Sequence, residues 1–544
     1  MRPPAGVPQW LTMPTHRART RPPRGRDRRP PIERDADLVR TVLEDAAHFP
    51  GGHAAGVVAP ESEAEVAAVL RGAAPVLPIG AQSSLTGGAT PFGEVVLRTT
   101  RLASIVSVGS RAARVQPGVA VSALQEALRP HATWYPPVPT YTGACCGGVV
   151  ATNAAGPTTF KYGTTRDWVL GLTVVLPCGE VLEIARGEVV AHDDGHFLIE
   201  TAAGALHVPI RPLPLPEVPK CSAGYRLAPR MDLVDLFIGS EGTLGVITEI
   251  ELRLAPAPAA TCQLLVPCRS EAQAVALVGR LRRASLNTRS RHDPCGLDVA
   301  AIEHVDRRSL ELAREDGVDR KFAVAVPAGT EVLLLAEIEL AVAVPETEAW
   351  QEVAGALAPD APDTPLTRLS RLLVDADAAD DAEIVLPGRT RRAGELAAFR
   401  EAVPMAVNQR VAQARERDAR ITKVAGDVVV PFERFTALME ACRVAFRAHG
   451  LDHAIWGHIS DGNIHPNVIP TNYDDVRLGR QAVLDLGREV LRLGGCPLAE
   501  HGVGRNPVKK ALLALLHGED GLRALRAVKA SLDPAGRLAP GVLL

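Results

Sequence analysis

The chain lacks any apolar run long enough to cross a membrane. Its best candidate, VLLLAEIELAVAV, is interrupted by Glu337 and Glu339, whereas a spanning helix needs about 20 apolar residues. It also lacks a strong charge of either sign. A net charge of −3 gives no electrostatic reason to expect nucleic acid or an acidic lipid surface as partner. The nine cysteines are an odd number, scattered, with no C-x-x-C spacing. That excludes a disulfide framework and points to a reducing, cytoplasmic compartment. No G-x-x-x-x-G-K-[ST] occurs, so a P-loop nucleotidase has no support. The one G-x-G pair, Gly502 and Gly504, has no third glycine after it, which removes the dinucleotide fingerprint of a Rossmann unit. At 544 residues the chain exceeds a single core, and two or three domains are expected.

What is present divides unevenly. Residues 1–34 contain RARTRPPRGRDRRPP, rich in Arg and Pro and almost free of acids; this composition predicts a disordered basic tail. From residue 35 to 258, short apolar runs alternate with Gly and Pro. SEAEVAAVLRGA predicts an amphipathic helix with Ser62 as N-cap and Glu65 closing a capping box. PVLPIG predicts a short buried strand, and GAQSSLTGGA follows it. Such a loop exposes backbone N–H groups and small hydroxyls, the equipment of a phosphate cradle; a merely small, polar surface loop has the same composition. VQPGV, YPPVPTYTGACCGGVVATNAAG, KYGTTRDWVLGLTVVLPCGEV and FIGSEGTLGVITEIELRL come next, each Gly-punctuated.

These segments, in this order, resemble the FAD-binding domain of the vanillyl-alcohol oxidase/p-cresol methylhydroxylase type. The resemblance implies an α+β chain: a two-part FAD-binding domain (residues 35–258), an α/β cap or substrate domain (259–430) and a C-terminal region (431–544) that returns to the flavin. It further implies FAD as cofactor. Gly80, Ala81, Gln82, Ser83, Ser84, Leu85, Thr86, Gly87 and Gly88 would hold the pyrophosphate, a role shared by Thr142, Gly143, Gly147 and Gly148. Asn153, Gly156, Tyr162 and Gly163 would line the ring and ribityl chain. Gly245, Val246 and Ile247 would touch the adenosine side, and Pro78, Pro137 and Glu241 complete the implied contacts.

In the second half, SEAQAVALVGRLRRA has helical periodicity and EVLLLAEIEL reads as a strand. WGHISDGNIH then places two histidines about Asp461-Gly462, a strong signal for a two-residue turn. With that loop, His458 would face His465 at about 4.5–5.5 Å between β-carbons, close enough to share a metal ion. Structural histidines on a hairpin are the alternative. In LAEHGVG, Glu500 and His501 are adjacent and would point to opposite faces of an extended segment. Two His and one carboxylate form a known divalent-metal set.

GHISDGNIH followed by AEHGVG resembles the C-terminal half of D-2-hydroxy-acid dehydrogenases, a group that includes D-lactate and D-2-hydroxyglutarate dehydrogenases and the glycolate oxidase FAD subunit. The resemblance implies His458, His465 and Glu500 as ligands of a divalent metal, zinc being the expected ion, and His501 as catalytic base. FREAVP resembles the segment whose arginine, here Arg400, holds the substrate carboxylate; a surface ion pair is the alternative. The implied reaction passes a hydride from the α-carbon of a 2-hydroxy acid to the flavin, and the electrons then leave to a separate acceptor. A redox-neutral ether-lipid synthase of the same flavin fold, or a flavin-binding subunit of a larger oxidase, is the competing reading. No nucleic-acid partner is implied, and peripheral membrane association and a homodimer are both compatible with the resemblance.

Overall fold

The computed structural model describes residues 14–26 and 28–544. A small parallel sheet opens the fold, with Val95–Arg98 between Gly56–Val58 and Val76–Ile79. The helix Glu63–Leu70 covers it. The Ser62 hydroxyl accepts from the Glu65 backbone N–H, while the Glu65 carboxylate turns to the Glu61 N–H. Only half of the expected capping box therefore forms.

A larger sheet of eight strands follows, centred on Val181–Ala185, Val169–Val175 and Val246–Arg253. The first of its strands in sequence overturns an expectation. Arg17–Arg21, assigned to a disordered tail, lies between His196–Thr201 and Val181–Ala185, paired on both sides. Its arginines meet acids on the neighbours: Arg19 with Glu200 at 2.8 Å, and Arg21 with Glu63 at 2.7 Å and Glu183 at 3.0 Å. Basic residues that look unfoldable alone find backbone and charge partners supplied 42 to 181 residues later. Of that tail, residues 1–13 and 27 lie outside the described residues.

The second half is built on a seven-stranded antiparallel sheet. Its order is Glu383–Val385, Ala260–Cys268, Val332–Leu340, Asp298–Asp306, His453–His458, Asn463–Val468 and Val428–Val429. The histidine hairpin is thus part of the same sheet as the strands of the region expected to form the cap. Helices Glu271–Arg291, Thr390–Arg417 and Tyr473–Arg492 accompany this sheet. After the final helix, Pro507–Leu532, the chain returns to the first domain: Val76 N–H donates to Arg537 O at 2.8 Å, and Ala539 N–H to Val76 O at 2.7 Å. Among the described residues no helix is long and apolar enough to cross a membrane.

Candidate active site

One cavity of about 910 Å³ joins the two halves. On one side it is lined by Pro78, Gly80, Ala81, Gln82, Ser83, Ser84, Leu85 and Gly88, with Thr142, Gly147 and Gly148. Glu241, Gly245, Val246 and Ile247 close that side, and Arg400, His458, His465, Glu500 and His501 line the other. The residues singled out for a flavin and those singled out for a metal therefore open onto one space.

The remaining implied cofactor residues stand outside this lining, all but Pro137 with another visible task. Gly87 takes a positive φ of 76° against Phe49, and Gly163 one of 74° beside Asp167. Thr86 O accepts from Arg505 N–H at 3.0 Å. The Asn153 side chain accepts from Arg166 N–H at 2.9 Å, and Tyr162 donates to Glu339. A β-carbon on Gly143 would strike Tyr141, and one on Gly156 would strike Val138 O. Pro137 also lies outside the lining. These residues shape the walls from behind; small size in the sequence marks close packing as readily as ligand contact.

The hairpin differs from expectation in register. Trp456, not His458, pairs with His465. Residues Ile459–Asp461 form a 3-10 turn, and only Gly462 is left-handed, with φ 81°. Tertiary contacts hold this longer turn. Ser460 Oγ accepts from Ile302 N–H at 3.1 Å, Asp461 pairs with Lys220 at 2.9 Å, and a β-carbon at position 462 would lie 2.1 Å from Val430 O. A slip of two residues preserves side-chain parity, so His458 still faces the same way as His465, with ring centroids 5.4 Å apart.

The three imidazoles converge on one oxygen. Glu500 Oε1 lies 3.2 Å from His465 Nε2 and 3.6 Å from both His458 Nε2 and His501 Nε2. Each ring has a carboxylate behind it. Glu303 Oε1 meets His458 Nδ1 at 2.9 Å; Asp427 lies 3.4 Å from His465 Nδ1 and 3.3 Å from His501 Nδ1. Carboxylates behind imidazoles fix tautomer and ring orientation at metal centres. Asp427, His465, Glu500 and His501 each offer an atom within 4.8 Å of the others. Glu500 and His501 are held together rather than split to opposite faces, because Asp427 Oδ2 accepts both of their backbone N–H groups at 2.9 Å.

Sequence reasoning missed Lys220, Glu303, Asp427 and Asp461. Lys220 is fully buried, 2.9 Å from both Glu500 and Asp461. It tethers the first half of the chain to the site. Arg400 is also placed differently from expectation. Its Nε and Nη2 donate to Glu303 at 3.1 and 2.9 Å, so the planar fork expected to grip a substrate carboxylate is engaged behind His458, although Arg400 does line the cavity.

The electrostatics follow from burial among charges. Burial alone would raise the Glu303 carboxyl, but Arg400 and His458 bring it down to about 2. Burial pulls His458 down, yet the Glu303 and Glu500 carboxylates together outweigh it and lift the ring to about 9. For Glu500, burial is overcome by Lys220 and His458, and the carboxyl sits well below the usual range. His501 goes the other way: burial takes it to about 4 against the opposing pull of Asp427. A neutral ring results at pH 7, able to accept a proton.

The structural observations meet two family profiles. That of the FAD-binding domain matches residues 54–185. That of the C-terminal domain of FAD linked oxidases matches residues 267–543, just over half the chain. The chain belongs to the FAD-linked oxidases. Among curated relatives of this FAD-linked oxidase, the glycolate oxidase subunit GlcD of Bacillus subtilis is 26% identical over 89% of this chain and 88% of its own. A D-2-hydroxyglutarate dehydrogenase of Xanthomonas citri pv. viticola is 29% identical, covering 90% and 88%. A D-lactate dehydrogenase of Anaerostipes hadrus is 27% identical, covering 88% and 87%. In fold, the chain resembles 4-ethylphenol oxidase from Gulosibacter chungangensis, with a TM-score of 0.63, 17% identity and 94% of each chain covered.

The residues lining the cavity suit FAD. The small residues Gly80, Ala81, Ser83 and Ser84 line the space, and a β-carbon at Gly148 would meet nothing within 4 Å. That open surface is what close approach of pyrophosphate and ring to the main chain needs.

Proposed function

We propose that this FAD-linked oxidoreductase converts a D-2-hydroxy acid into the 2-oxo acid. The observation that carries the reading is the meeting of three carboxylate-backed imidazoles at one glutamate oxygen, on the wall of the cavity that the FAD-binding loops also line. Bound FAD supplies an acceptor for the α-hydrogen and two electrons.

His458, His465 and Glu500 are the proposed ligands of a divalent ion, and zinc suits two imidazoles with one carboxylate. Ligation requires a neutral ring, so metal binding at His458 Nε2 displaces the proton that Glu303 favours. Lys220 holds the second oxygen of Glu500 and keeps it from rotating away. His501 accepts the substrate hydroxyl proton at Nε2, its neutral form secured by burial and its ring aimed by Asp427. Arg400 acts on His458 through Glu303, and its Nη1, outside that pair, is the group left to meet the substrate carboxylate. The similarity to relatives that oxidise glycolate, D-lactate and D-2-hydroxyglutarate supports the substrate class.

The test is anaerobic reduction. Purified holoenzyme is expected to bleach on addition of a D-2-hydroxy acid, and His458→Ala to lose metal and turnover together while retaining FAD. A flavin spectrum that persists with every such acid, or normal metal content in the variant, overturns the reading.

A further inference from the structure

Two cations on the cavity wall have no carboxylate partner among the described residues. Arg480, on the helix Tyr473–Arg492, donates from Nη2 to the Thr422 hydroxyl at 3.2 Å. Lys423, the next residue, donates from Nζ to Asn408 Oδ1 at 2.9 Å. These neutral acceptors are the partners the structure gives the two side chains. Arg480, Thr422, Lys423 and Asn408 all line the cavity. Arginines elsewhere, such as Arg308, Arg410 and Arg420, meet Asp or Glu directly, so a pair of cations left against neutral acceptors inside a cavity is an unbalanced charge.

The acids that face the same space do not neutralise it. Glu500 is held by Lys220 and the imidazoles, and Glu241 accepts from Val503 and Gly504 N–H at 2.9 and 2.8 Å. Glu401, also on the lining, is exposed and has no ion pair among the described residues. Position matters as much as charge. Asn408, which carries Lys423, lies eight residues after Arg400 on the helix Thr390–Arg417. At 1.5 Å per residue that is about 12 Å along the axis. Asn408, and with it the Lys423 ammonium, thus sits about two turns, across Pro404, from the arginine that backs His458. Near them, Asn467 is buried on the strand that carries His465, and its Oδ1 has no hydrogen-bond partner.

We propose that Arg480 and Lys423 form an anion subsite distal to the histidine cluster, and that the substrate is a hydroxy acid bearing a second carboxylate on a chain of four or more carbons. A planar guanidinium beside an ammonium and the Thr422 hydroxyl offers several donors to one carboxylate. The inference rests on the reading of the site as a D-2-hydroxy-acid oxidoreductase and deepens it.

The test compares D-2-hydroxyglutarate with D-2-hydroxybutyrate in anaerobic flavin reduction by the holoenzyme, and glutarate with butyrate as unreactive ligands read by perturbation of the flavin spectrum. Wild type is expected to favour the dicarboxylate in kcat/KM and to bind glutarate more tightly than butyrate. Arg480→Gln is expected to reduce that kcat/KM preference at least tenfold, mainly through KM, with Arg480→Lys restoring part of it and Lys423→Gln acting in the same direction. A preference unchanged in Arg480→Gln, or equal binding of glutarate and butyrate by wild type, overturns the subsite. If monocarboxylates reduce the flavin and dicarboxylates do so no better, the subsite fails while the proposed reaction stands; if none reduces it, the reaction itself fails.

Discussion

Replacing Lys220 with Met tests the electrostatics of the site most directly. The ammonium lies 2.9 Å from Asp461 and 2.9 Å from Glu500, with no side-chain exposure. At an effective dielectric near 20, each contact carries about 6 kcal/mol of gross attraction, most of it offset by the cost of taking the ions out of water. Truncating one partner of such a buried cluster leaves carboxylates uncompensated and costs about 3–5 kcal/mol. For a folding unit of a few hundred residues that corresponds to a fall in Tm on the order of 10 °C. Thermal unfolding of apo protein followed by circular dichroism reads the change. Lys220→Met combined with Asp461→Asn is expected to recover part of the loss, since one of the two stranded charges is gone. Loading with zinc is expected to narrow the gap further, because a cation near Glu500 replaces part of the missing charge. A single variant within about 2 °C of wild type, or a double variant no better than the single, would refute the reasoning.

Two further outcomes follow from the same kind of accounting. Burial, with the neighbouring Glu339 charge, raises Glu337 to about 7; its unfolded value is lower, so wild type loses stability as pH rises from about 4.5 towards 7. Glu337→Gln is expected to be more stable than wild type at pH 8 by roughly 1–3 kcal/mol and near parity at pH 5, as read by denaturant unfolding at both pH values; a constant difference would contradict this. At Gly504, φ is +57° and a β-carbon would lie 2.3 Å from Thr86 Oγ1 and 2.4 Å from Thr86 O. Gly504→Ala is expected to push the Gly80–Gly88 loop out of place and lower the flavin-to-protein ratio after purification, while an unchanged ratio would show that the loop does not depend on this contact.

The local order of the chain was legible where neighbours in sequence decide structure. Ser62 caps its helix at the expected place, the SEAQAVALVGRLRRA run is helical, and the alternating ITEIELRL run forms a strand. His458, His465, Glu500 and His501 were identifiable because an Asp-Gly turn and a Gly-flanked Glu-His pair are short-range patterns. The turn's geometry was not, since Lys220, Ile302 and Val430, all distant in sequence, hold Ser460 to Gly462 in a longer bend than the dipeptide prefers.

By itself, the sequence determined the periodicities, the glycine-rich loops and the supply of imidazole and carboxylate groups, all properties carried within a few residues. Tertiary structure alone decided that an arginine-rich segment becomes an interior strand, that Arg400 turns to Glu303, and that Lys220, Glu303 and Asp427 surround the histidines. Charge pairing in a low-dielectric interior depends on three-dimensional distance, and groups 73 to 280 residues apart, such as Asp427 or Lys220 with Glu500, carry no mark of that proximity in the linear order.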